Sequence, residues 1–112
     1  MFDFLIKDGK PFIPSTADEA KPLLDEVKKY IENLSDSSQR TKAQEVRDAL
    51  EAYIFDLKAI EETLIAFIEG RLDEKTFTNS LSRWIGALFS DMTNFDRMAR
   101  EMLGEYGAED TH

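Results

Sequence analysis

The 112-residue chain contains no cysteine and one histidine, His112. Without cysteine it has no disulfide framework, no thiolate nucleophile and no zinc site built on sulfur. A single imidazole argues against a Ser-His-Asp relay and against a two-histidine metal motif. The five glycines are too scattered to form a phosphate-binding loop. We therefore expect a protein that is not an enzyme and that holds no metal or cofactor.

Basic residues are scarce as well. The chain has 14 lysines and arginines against 23 acidic residues, which gives a net charge of −9. The acidic excess is spread along the chain, so we assign it to the folded surface rather than to a tail. Binding to a phosphate backbone needs a cationic footprint, so direct nucleic-acid binding is not expected. An acidic surface instead speeds the encounter with a basic protein partner.

The chain also lacks a long hydrophobic run. No uninterrupted apolar segment reaches the roughly 20 residues that span a bilayer, and the most apolar window, residues 49–68, includes five charged residues. Residues 1–10 have no basic region before their short apolar stretch, so no signal peptide is expected. The length and the apolar fraction of 42% are typical of one domain over residues 1–112. We expect a cytoplasmic protein with no membrane partner.

Residues 1–15 predict a small β-hairpin arm. The dipeptide Asp8-Gly9 suits a two-residue type I′ turn, and the register that this turn sets pairs apolar residues across the strands. A solitary hairpin is marginally stable in water, so we expect it to lie on the helices or to pair with another chain. Its aromatic residues are candidate interaction residues: Phe2, Phe4 and Phe12.

A first helix is predicted within residues 16–35. Thr16 and Glu19 fit a capping box, but we expect the main helix to begin near Lys21, because Pro22 is best tolerated in a first turn. Its apolar residues share one face: Leu23, Leu24, Val27, Ile31 and Leu34. A polar connector, residues 35–38, contains serines that can cap the next helix.

The second helix, predicted over residues 38–69, has the clearest pattern. Apolar residues recur with alternating spacings of three and four: Ala43, Val46, Leu50, Tyr53, Leu57, Ile60, Leu64 and Phe67. A second stripe on the opposite face contains Ala52, Phe55, Ala59 and Ala66. A helix that is apolar on nearly all sides is buried on several sides, so we expect this helix to be central. Phe55 and Ala59 are therefore candidate contacts with a neighbour, and Gly70 is predicted to end the helix.

The third helix is predicted over residues 73–103. Asp73 is a suitable N-cap, and Leu72 can pack against Phe77 as a hydrophobic staple. The apolar spacing favours one long helix, with a break near Ser90-Asp91 as the alternative, and the tail 104–112 should fray. Because the connector is short, helices two and three should form an antiparallel hairpin. The predicted fold is all-α or mainly α: an antiparallel bundle of three helices, or four if the third breaks.

Carboxylates are the abundant reactive groups, and Glu61 and Glu62 interrupt the apolar columns of the second helix. A buried carboxylate there would have a raised pKa suited to acid–base chemistry. The alternative, which we favour, is that Glu61 flanks the seam and pairs with a lysine or arginine of a neighbouring helix. Both are candidate interaction residues.

Arginines and aromatic residues alternate in the third helix, where Arg97 and Arg100 follow Phe95. This pattern can bind bases or phosphates, but acidic residues three and four positions away favour ion pairs on a solvated helix face. Methionines near the end of this helix fill a core or provide an adaptable partner surface. Met98 and Met102 are therefore further candidate interaction residues.

Residues 67–77 resemble the junction between two helices in several small helical bacterial proteins, including some bacteriocin immunity proteins, and a glycine cap followed by a staple accounts for that resemblance. We expect a non-enzymatic, acidic protein–protein interaction module that captures a basic protein as a regulator, inhibitor or immunity- or adaptor-type protein of a bacterium or phage. One alternative is a homodimeric bundle with Phe55 or the N-terminal aromatic residues in its interface. Another is a small-ligand binder or enzyme that uses carboxylates in a bundle cavity.

Overall fold

The fold is a bundle of three helices joined by short connectors. The computed structural model describes the backbone of residues 6–7 and 10–107 and the side chains of residues 11–102. The helices are α1 (Ala17–Glu32), α2 (Ser37–Ile68) and α3 (Glu74–Gly107). No helix in these ranges is long and apolar enough to cross a membrane.

The predicted N-terminal hairpin over residues 1–15 lies only partly within the described residues. The backbone there pairs two short strands, β1 (Ile6–Lys7) and β2 (Lys10–Pro11), in antiparallel register. Phe2, Phe4 and the predicted turn dipeptide lie outside the described residues. The segment that leads to α1 is tied to α2, because the hydroxyl of Tyr53 donates a hydrogen bond to the carbonyl of Pro14.

Helix α1 begins at Ala17 rather than near Lys21. The Oγ1 of Thr16 accepts from the backbone N–H of Glu19, and the Glu19 carboxylate accepts from the N–H of Ser15. These capping bonds outweigh the cost of Pro22, which lies inside the helix and removes one backbone hydrogen bond. The expectation that proline sets the helix start is therefore wrong.

The α2–α3 hairpin is set by its caps. Asp36, rather than a connector serine, caps the start of α2 by accepting from Gln39 N–H at 3.0 Å. At the other end Gly70 has a φ of 78°, and its N–H donates to the carbonyl of Phe67. The N–H of the next residue, Arg71, donates to the carbonyl of Ala66, which completes a Schellman motif. The predicted ending of the helix at Gly70 is confirmed.

Helix α3 is continuous through Ser90 and Asp91 and extends to Gly107, beyond the predicted end. Its N-cap is Asp73, whose Oδ1 accepts from Thr76 N–H at 2.7 Å. The ring of Phe77 stacks on the ring of Phe67 with centroids 4.1 Å apart. This stacking joins α2 and α3 next to their loop.

The core occupies one half of the molecule. Helix α1 has 16 residues and α2 has 32, so α1 is about 24 Å long against about 48 Å for α2. Residues of α2 up to Leu57 pack with the apolar face of α1 and with Phe95 and Met102 of α3. We call residues 55–89, the part of the α2–α3 pair next to the connecting loop, the distal hairpin. It extends past α1, in agreement with the elongated shape of 52 × 30 × 22 Å.

The expectation that neighbours wrap the middle helix is wrong for this hairpin. Phe55, on the second apolar stripe, is 63% exposed, and Ala59 is half-buried. In residues 37–54, which we call the proximal half of α2, α1 lies on one side and α3 on another, whereas α3 is the one described element that packs on the distal part. The two stripes predicted neighbours on several sides of the middle of the helix, but α1 covers the seam side only as far as Leu57, and the second stripe stays exposed at Phe55.

Candidate interaction surface

The exposed large apolar side chains are concentrated in the distal hairpin. Among residues with described side chains they are, with their exposed fractions, Phe55 63%, Leu64 40%, Ile65 48%, Phe67 39%, Ile68 81%, Ile85 38% and Phe89 59%. Single exposed apolar residues are ordinary on protein surfaces, whereas a cluster in one element marks a surface that contacts something. The distal hairpin is therefore the candidate interaction surface.

One side of the distal hairpin contains a groove of about 500 Å³ between α2 and α3. Its apolar walls come from Phe55, Ala59, Ala66, Leu72 and Trp84. The two alanines have little side chain with which to fill the space between the helices, so the groove stays open. Phe55 meets Trp84 edge to face, with ring centroids 5.6 Å apart at 65°.

The rim of this groove is charged. Lys58, Glu62 and Arg71 line it. The guanidinium of Arg71 pairs with the carboxylate of Glu69 at 2.8 Å. Apolar and aromatic walls surrounded by a polar rim are typical of protein-binding surfaces.

The structure brings three of the predicted interaction residues together and separates the others. Phe55, Ala59 and Glu62 line the groove. Met102 is 1% exposed and belongs to the core, and Phe12 and Met98 are partly buried against it. These three therefore support the fold and do not form part of the groove.

Glu61 and Glu62 are both exposed. Neither is the buried acid that the acid–base alternative requires, so that expectation is wrong for these two residues. The arginine prediction is confirmed: Arg97 pairs with Glu101 and Arg100 pairs with Asp96, each at 2.9 Å.

The buried acid of this protein is Asp56. Asp56 is 3% exposed, and its Oδ2 atom has no hydrogen-bond partner. Burial raises the pKa of Asp56, and a hydrogen bond with Asp91 and the negative charge of Asp91 raise it further, to about 7. Helix α2 thus presents a buried carboxyl group to a second carboxyl group on α3.

The sequence analysis counted Asp56 as one of the charges in the window 49–68, and it placed Asp91 at the alternative break in the third helix and among the acidic residues near the arginines. A signal for Asp56 exists, because it lies three residues after Tyr53 and four before Ile60, at seam spacing. The spacing pattern of the sequence also did not identify Ile85 and Phe89 as surface candidates. Each lies one residue after a residue of the apolar seam of α3, and so falls outside that pattern.

Among residues with described side chains, no group of three histidines, cysteines or carboxylates is arranged to hold a metal ion. Compared with known protein families, curated proteins and solved structures, the chain matches none of them.

Proposed function

We propose that this chain is a non-enzymatic protein–protein interaction module that captures a basic protein, as a regulator, an inhibitor or an adaptor does. The observation that carries the proposal is the concentration of exposed apolar side chains in the distal hairpin. A protein without a partner gains nothing from leaving these side chains in water, because each would stabilise a contact if buried.

The groove is the part of this surface that suits the partner. Phe55 and Trp84 are large and rigid, and aromatic residues of this kind provide much of the binding energy at interfaces. The exposed carboxylate of Glu62 on the rim can pair with a lysine or arginine of a basic protein. An apolar side chain of the partner would occupy the space left by Ala59 and Ala66.

The net charge supports a basic partner. A charge of −9 on 112 residues attracts a basic protein over several ångströms and raises the association rate at low salt. Salt screens this attraction, with a Debye length of about 8 Å at physiological ionic strength. Retention of the partner should therefore weaken as salt is added.

The experiment compares two variants of the immobilised chain in the capture of basic proteins across a salt series. Phe55→Ser removes an exposed ring from the groove and should abolish capture of the partner, because its contact area is lost. Glu45→Ser changes an exposed residue in the proximal half of α2 and should retain the same partner as the unmodified chain. Circular dichroism establishes that both variants fold.

The proposal fails if no basic protein is retained by the unmodified chain. It also fails if the protein retained is held equally by Phe55→Ser and Glu45→Ser, or if its retention is insensitive to salt. Loss of capture in Phe55→Ser alone, together with weaker retention at higher salt, supports it.

A further inference from the structure

The distal hairpin has a second apolar side, opposite the groove. Along α2 the residues Leu50, Ile54 and Leu57 are buried in the core with α1. The same helical spacing continues through Glu61 to Leu64 and Ile68, which are 40% and 81% exposed. The column that α1 covers therefore extends beyond the end of α1, and none of the described residues lies over that extension.

Helix α3 adds to the same side. Ser80 and Trp84 border the groove, so helical spacing places Ile85 and Phe89 on the opposite flank of α3. Both are exposed. We call these four residues, Leu64, Ile68, Ile85 and Phe89, the distal face.

We propose that the distal face binds the distal face of a second copy of this chain, so that the two hairpins form a four-helix bundle about a two-fold axis. A two-fold contact uses one surface patch twice, and two antiparallel hairpins stacked face to face form such a bundle. This proposal does not rest on the proposed function, because it concerns the side of the hairpin opposite the groove.

The exposed apolar column on α2 is continuous with the column that α1 covers. Helix α1 stabilises the proximal half by covering one apolar column, and a helix of the second copy would cover the continuation of that column. The uncovered part of α2, residues 58–68, is about 16 Å long in each copy. Two faces of equal length match when the hairpins lie antiparallel about the axis.

The size of the face agrees with a weak interface. The uncovered face is about 16 Å long on α2 and about 24 Å long on α3 (residues 74–89), and at about 10 Å for each helix it covers about 400 Å². Two such faces bury about 800 Å² together, which is the size of a weak, reversible contact. The composition also agrees, because homodimer contacts are more apolar than the rest of a protein surface.

The charges separate this contact from the capture of a basic protein. Helical spacing places Glu61 and Glu74 on this side, and the chain as a whole carries a net charge of −9. Two copies thus bring like charges together, so added salt should strengthen the dimer. Capture of a basic protein has the opposite salt dependence.

The homodimer alternative from the sequence placed Phe55 or the N-terminal aromatic residues in the interface, whereas this proposal places Ile68 there. The test is sedimentation equilibrium of the full chain at protein concentrations up to about 100 μM, a range that detects a weak interface of this size. We expect a monomer–dimer equilibrium that tightens with salt. Ile68→Glu should weaken it at least about tenfold, because it buries a charge in each copy. Phe55→Glu, the matched control in the groove, should leave it unchanged.

A second measurement uses the absence of cysteine. Ile68→Cys and Phe55→Cys each introduce one thiol, on the distal face and on the groove side respectively. Alkylation of Ile68→Cys should slow as the protein concentration rises, and that of Phe55→Cys should not. A monomer at the highest concentration would overturn the proposal, as would a dimer weakened by Phe55→Glu and not by Ile68→Glu. Concentration-dependent protection of Phe55→Cys alone would also overturn it.

Discussion

At the scale of single residues, Asp56 opposes the stability of its own fold. Its Oδ2 atom has no hydrogen-bond partner, and Asp91 places a second carboxyl group beside it. Ionising both groups in a buried setting is costly, so the folded chain binds a proton more tightly than the unfolded chain. Below pH about 4 both states are protonated, and the pair costs little. As the pH rises from about 4 to about 7, the free energy of unfolding falls.

The raised pKa of Asp56 predicts the effect of Asp56→Asn on stability. The amide has no proton to lose, and its N–H groups can donate to Asp91, so we expect the free energy of unfolding at pH 8 to rise by about 2 kcal/mol. Below pH 4 the gain should vanish. Urea unfolding across this pH range measures both values.

Glu61→Gln is the matched control for that measurement, because it removes an exposed carboxylate from the same helix. It should change the free energy of unfolding by less than about 0.5 kcal/mol at either pH. If Asp56→Asn behaves like this control, the carboxyl pair has no effect on stability.

The hydroxyl of Tyr53 provides another prediction at this scale. Tyr53→Phe removes its hydrogen bond to the Pro14 carbonyl and leaves that acceptor without this donor. We expect a loss of about 1 kcal/mol in the free energy of unfolding. Urea unfolding measures it, and an unchanged free energy of unfolding in Tyr53→Phe would show that the bond to Pro14 contributes nothing to stability.

Some of these residue contacts could be predicted from the sequence and others could not. The pairs of Arg97 with Glu101 and of Arg100 with Asp96 follow from spacing along one helix. The pairing of Asp56 with Asp91 depends on the axial alignment of two helices, which the local pattern does not encode. The two residues are also separated by a connector whose geometry sets that alignment.

At the scale of helices, caps were the most predictable features. Gly70 was identifiable because a position with φ of 78° strongly favours glycine, and Asp73 because a carboxylate suits an N-cap. The start of α1 was not, because the cost of Pro22 had to be weighed against the capping bonds of Thr16. A sequence shows that both effects exist but does not show which is larger.

Two glycines of the hairpin allow an opposed pair of predictions. Gly70→Ala should lower the free energy of unfolding by about 1 kcal/mol, because alanine is strained at positive φ. Gly86→Ala, in the interior of α3, should raise it by about 1 kcal/mol, because alanine favours the helix. A methyl group at either position meets nothing within 4 Å, so neither change involves a clash. Thermal unfolding at neutral pH measures both, and effects of the same sign would contradict this account.

At the scale of the whole molecule, the two halves of α2 differ in what covers them. We expect backbone amides of residues 61–66 to exchange with solvent at least about tenfold faster than those of residues 49–54 in dilute protein, because the distal hairpin buries less apolar surface. Hydrogen exchange followed by mass spectrometry compares both segments within one helix. Equal protection of the two segments at high dilution would contradict the assignment of the core to the proximal half.

The heptad pattern predicted the helices and their antiparallel pairing, but it did not predict this division. Leu64 belongs to the same seam as Leu50, and both have the spacing of a buried residue. Their exposure differs because α1 ends before it reaches Leu64. A pattern read along α2 alone contains no information about the reach of another helix.

The shortness of α1 leads to a design rule. Its first turn points towards the distal hairpin, because α1 and α2 are consecutive and antiparallel. Replacing residues 6–16 with further turns of amphipathic helix would extend α1 over the exposed column of α2 that includes Leu64 and Ile68. Such a variant would be a three-helix rod whose distal column is covered, and it should be harder to unfold than the unmodified chain.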